Sequence, residues 1–61
     1  MKTSELVRKV KKAGCHIKRH GSRHDVWVNP TTGETFSLPR HPSEEVPKGT
    51  AEQIMKAAGV K

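Results

Sequence analysis

Sixty-one residues with twelve Lys and Arg against six acids give a net charge of +6 and a pI near 10.0. Hydrophobic residues make up 31% of the chain and Trp27 and Phe36 are its only large aromatics, so one domain over residues 1–61 must fold around a thin core; a chain of about 60 residues buries only about 60% of the surface its unfolded form exposes. This excludes a multidomain enzyme, a disulfide framework (Cys15 is the single cysteine) and a helix of the roughly 20 apolar residues that span a membrane.

The opening "MKTSELVRKVKKAG" lacks the continuous apolar stretch of a signal peptide, and a reducing cytoplasm is the expected compartment. Thr3 or Ser4 can cap a helix over residues 3–13, in which Leu6, Val7, Val10 and Ala13 form one apolar stripe and Arg8, Lys9, Lys11 and Lys12 cover much of the rest. Gly14 follows as a left-handed cap. "CHIKRH" (15–20) reads as a strand, with Cys15 and Ile17 on one face and His16 and Lys18 on the other. Gly21-Ser22 suits a turn, and "HDVWVN" (24–29) a second strand. "NPTTGE" is a turn-rich connection to a third short strand, "TFSL".

Pro39, Pro42 and Pro47 make "PRHPSEEVPKG" a loop crossing back over the fold. Thr50 and Gln53 fit a capping box, ahead of a helix carrying Ala51, Ile54, Met55 and Ala58 on one stripe and ending at Gly59. The expected architecture is α+β, helix–strand–strand–strand–helix, an antiparallel three-stranded sheet with both helices on one face. Strict alternation puts Ile17, Val26, Val28, Phe36 and Leu38 on the covered face and Lys18, Asp25, Trp27 and Ser37 on the open one.

The charge points to a polyanionic partner, nucleic acid first, bound in a salt-dependent way; the plainer reading is solubility. Lys11, Lys12, Lys18, Arg19 and Arg23 are the candidate phosphate contacts, each with an ordinary alternative as a solvated charge. Trp27 on an open face could stack on an unpaired base or simply cover a neighbouring strand. By parity His24 joins the covered face at its rim, half buried beside the Gly-Ser turn. An imidazole titrates near pH 6.5 and can serve RNA cleavage as base toward the ribose 2′-hydroxyl or acid toward the departing 5′-oxygen, with nearby cations steadying the phosphoryl oxygens. It can instead merely cap the strand edge or hydrogen-bond to backbone, and the residues alone favour that plainer reading, since geometry decides acid–base candidates. His16, His20, His24, His41 and Cys15 could supply metal ligands, but Gly21-Ser22 breaks the helix that would align the first three, no C-x-x-C occurs, and no metal is expected.

"SELVRKVKKAG", "HGSRHDVWVNPTTGET", "LPRHPSEEVPKGT" and "IMKAAGV", in this order over nearly the whole chain, resemble the HicA family of toxins, also called YcfA-like mRNA interferases. The resemblance implies a fold like the double-stranded-RNA-binding domain. It implies a toxin of a toxin–antitoxin system, a translation-independent endoribonuclease acting on mRNA without a required metal or other cofactor. The family's G-S-x-H motif is "GSRH" here, which carries the catalytic role onto His24 and the preceding turn onto Gly21 and Ser22; Ser22 joins the candidate RNA contacts, and His20 lies outside the motif. The implied partner is a HicB-like antitoxin that masks the active site. Unlike double-stranded-RNA binders, the second helix opens "PKGTAEQ", with one Lys, which fits a fold reused for cleavage. The rival readings are a non-catalytic RNA- or DNA-binding module and a protein whose charge serves only an acidic protein partner.

Overall fold

The computed structural model describes residues 1–60 and follows the predicted order: α1 (Thr3–Lys12), β1 (His16–His20), β2 (His24–Val28), β3 (Thr35–Pro39) and α2 (Lys48–Ala58). The strands form one antiparallel sheet, β1-β2-β3. Leu6 and Val10 from α1 and Ala51, Ile54 and Ala58 from α2 pack with Trp27, Phe36 and Leu38, so both helices cover the same sheet face. Cys15 and Val46 complete the core. Burial pushes the Cys15 thiol pKa up. Among the described residues, no helix is long and apolar enough to cross a membrane.

The two faces of β2 are exchanged relative to the sequence expectation. Trp27 is 3% exposed and sits directly across the ladder from Phe36 on one side and Ile17 on the other. Val26 and Val28 lie on the open face, opposite Ser37 and Thr35. "VWV" offers an apolar side chain to the core in either parity, so alternation alone does not decide. The larger single side chain takes the core: the indole packs between Ile17 and Phe36 across the ladder, where aromatic side chains dominate a small core, while the two valines stay half-buried on the open face. In β1 the register slips between Ile17 and Arg19, so Lys18 is a bulge. Ile17 therefore stays on the covered side, at the sheet edge and 37% exposed, while Arg19 crosses to the open face opposite Val26.

The helix starts also differ from expectation. No side chain caps α1, whose N-cap is Lys2. Instead the Thr3 and Ser4 amides donate to the carbonyls of Glu44 and Pro42 at 2.9 Å each, and the Thr3 hydroxyl donates to Glu44 O. The proline-rich loop satisfies the orphan donors of the first turn, so Thr3 is free to be buried rather than to cap. α2 begins three residues before Ala51, with Pro47 as N-cap, which places Thr50 inside the first turn and removes the expected capping box. Leu6 and Val10 are buried and Val7 half-buried, but Ala13, past the end of α1, is exposed. Both helices close with a left-handed glycine, Gly14 and Gly59, and the paired amide bonds of a Schellman motif. Asn29, buried, ties the β2–β3 turn to α2: its Nδ2 donates to Ala57 O and its Oδ1 accepts from Thr31 N.

Candidate active site

The β1–β2 turn positions the histidine. Gly21 N donates to His24 O at 2.9 Å, closing the hairpin across Ser22 and Arg23. A Cβ on Gly21 would fall 2.3 Å from that same carbonyl oxygen, so the tight closure needs a residue without one. Ser22 and Arg23 are exposed at the tip.

His24, the first residue of β2, pairs across the ladder with Pro39 and shares the open face with Val26. It is exposed, not half buried under the helices, because Trp27 takes the covered face and the two positions have opposite parity. None of the side-chain hydrogen bonds among the described residues includes its ring. Arg19, opposite Val26, lies on the same face, and with Lys18 and Thr35 it lines a shallow depression of about 440 Å³. On the β3 side His24 borders a cleft of about 160 Å³ with Ser37, Pro39, Thr50, Glu44 and Glu45. The imidazole thus stands between a cationic depression and a carboxylate-rimmed cleft. An anion approaching it is drawn to the Arg19 side.

The other predicted contacts divide. Ser22 and Arg23 form the hairpin tip next to His24, Arg19 lies on the open face opposite Val26, and Lys18 lies farther along that face, beside Thr35. Lys11 lies on the covered side, in a groove with Ile17, Asp25, Trp27 and Arg40. Lys12 is at the far end of α1, beside Gly59 and Val60. Trp27 cannot stack on a base, because it is sealed in the core.

A second constellation escaped the sequence reading. His20 pairs with Asp25 across the ladder. Asp25 Oδ1 accepts from His20 Nδ1 and from Arg40 Nε, at 3.0 Å each. The His20 hydrogen bond, joined by the Arg40 bond and charge, holds the Asp25 carboxyl below its ordinary pKa against an opposing push from desolvation. An ionised carboxylate only accepts, so His20 carries its proton on Nδ1. Arg40 is 15 residues from Asp25 in sequence, and nothing local in "LPRHP" signals the pairing. No group of three or more His, Cys, Asp or Glu side chains comes together as metal ligands do among the described residues.

Comparison with known proteins agrees with this architecture. The family description of the HicA toxin of bacterial toxin–antitoxin systems matches residues 3–60. The chain is 36% identical, over the full length of both proteins, to a Photorhabdus laumondii protein named probable mRNA interferase HicA 2. It superposes with a TM-score of 0.72 on a chain of a solved HicA3 and HicB3 toxin–antitoxin complex, at 29% identity, covering 100% of this chain and 97% of the other. With a matching fold, a family match over residues 3–60 and a full-length relative, the chain belongs to the HicA toxin family.

Proposed function

We propose that this chain is a toxin that cleaves mRNA by transesterification, with His24 as the general acid–base group, and that a HicB-like antitoxin restrains it by covering the hairpin end. The observation that carries this reading is the accessible His24 imidazole on the open face, beside Arg19 and the Ser22–Arg23 turn. The names of the relatives, an mRNA interferase and a toxin solved with its antitoxin, support the substrate and the partner.

In the step proposed, a ribose 2′-hydroxyl attacks the adjacent phosphorus and the bond to the 5′-oxygen breaks. A base accepts the hydroxyl proton and an acid supplies one to the departing oxygen, leaving a 2′,3′-cyclic phosphate and a free 5′-hydroxyl. A ring with both nitrogens unengaged can act at either end of this transfer. The cations of Lys18, Arg19 and Arg23 would offset charge gathering on the non-bridging oxygens.

His24→Ala is expected to abolish RNA cleavage and growth arrest on induction, while leaving RNA binding nearly intact. Undiminished cleavage by purified His24→Ala protein would remove this residue from the chemistry. The alternative, a non-catalytic RNA-binding module, draws on the absence of a hydrogen-bonded orienting partner for His24 among the described residues. Contaminant-free wild-type protein that retards RNA on a gel without shortening it would favour that alternative.

A further inference from the structure

We propose that Arg40 is a phosphate-binding residue for the RNA backbone and that Asp25, braced by His20, is the positioning residue that aims it. The inference rests on the RNA-directed reading above and extends the contact surface from the open face around the hairpin end to the covered side. Asp25 is the acid of β2, its side chain 15% exposed, with His20 and Arg40 on the same carboxylate oxygen. Arg40 commits only Nε to that oxygen. Its two Nη groups, planar and donor-only, make no hydrogen bond among the described residues and are left to face an incoming group, and the side chain is 46% exposed. A guanidinium pinned through Nε loses less rotamer freedom on meeting a phosphate than a free one does.

The placement fits a backbone path. The Arg40 amide lies 3.4 Å from Arg23 O, which joins this residue to the hairpin tip that presents His24. Lys11 lines the same groove as Arg40 and Asp25, a second cation along that path. A purely structural ion pair needs neither the half-exposed guanidinium nor the neighbouring lysine. His20, 68% exposed, holds Asp25 from the side opposite Arg40 and so limits the swing of the carboxylate.

The test uses fluorescently labelled single-stranded RNA and protein carrying His24→Ala, so that binding is read without cleavage, by anisotropy across a salt series. Arg40→Gln should weaken binding about tenfold, the size of one partly screened charge-assisted contact, and flatten the slope of log affinity against log salt by about 0.7. Asp25→Asn separates aiming from charge. Removing a negative charge beside RNA should tighten binding on charge grounds alone; loss of aiming weakens it several-fold. Adding Asp25→Asn to Arg40→Gln should then cost little more. Thermal unfolding of each variant is recorded alongside; if Asp25→Asn is unfolded at the assay temperature, Arg40→Gln decides.

Weaker binding by Arg40→Gln with a shallower slope, together with weaker binding by folded Asp25→Asn, supports the assignment; where Asp25→Asn is unfolded, the Arg40→Gln result alone does so. RNA binding by the His24→Ala parent with unchanged affinity and slope in Arg40→Gln, or with equal or tighter binding in folded Asp25→Asn, overturns it and leaves the proposed function standing. No RNA binding by the parent at any salt removes both.

Discussion

Trp27 gives a sharp test of the face assignment, because its burial sets where His24 points. Trp27 is 3% exposed, in contact with a core drawn from both helices and two strands. Truncating a buried Trp to Ala costs about 3–5 kcal/mol. A domain of this size holds roughly 0.05–0.15 kcal/mol per residue, or about 3–9 kcal/mol in all. Trp27→Ala should therefore remove at least about a third of that stability, shifting the cooperative urea transition by circular dichroism far down or abolishing it, whereas Trp27→Phe should fold with a smaller loss and keep RNA binding. As the only tryptophan, residue 27 also reports on itself in the wild type. Its emission should be blue-shifted, resistant to iodide, and insensitive to saturating RNA. Ready quenching by iodide in the free protein, with protection by RNA, would put the indole on the open face and move His24 to the covered one.

Three further outcomes follow from named contacts. Gly21→Ala drives a Cβ to 2.3 Å from His24 O, so the hairpin must open; a stability loss of about 1–3 kcal/mol in chemical unfolding is expected, with cleavage reduced more than RNA binding because His24 is displaced. Asn29→Ala strips the partner from Ala57 O and should cost about 1–3 kcal/mol, with no change in RNA affinity per folded molecule. Asp25 has a folded pKa held below the ordinary 3.8, so its contribution is present above that value and lost as pH falls through the lowered one; between pH 5 and about 2 the melting temperature of the wild type should fall more steeply than that of Asp25→Asn.

The element order and the Gly21-Ser22 turn were legible because helix stripes, glycine caps and proline breaks are local signals. The faces of β2 were not, since Val26-Trp27-Val28 satisfies alternation in either parity and packing volume decided. The Lys18 bulge has no local marker, yet it carries Arg19 to the open face where His24 stands. The first turn of α1 is not legible for a tertiary reason: loop carbonyls of Pro42 and Glu44 do what a capping hydroxyl would have done. The Asp25 constellation needs three strand ends brought together, and only the folded sheet does that.

The exchange of faces matters most for the chemistry. Three positions separate His24 from Trp27, an odd number, so in a regular strand sealing the indole forces the imidazole outward. One packing decision therefore serves two requirements: it fills a thin core with its largest side chain and presents the G-S-x-H histidine to solvent. The two histidines of the hairpin are then divided in kind. His20 gives Nδ1 to a carboxylate and keeps one nitrogen, which suits a structural brace. His24 has no side-chain hydrogen bond to its ring among the described residues; in the function proposed above, it would accept a proton and return one within a single turnover, with its orientation supplied by a substrate held by Arg19, Arg23 and Arg40.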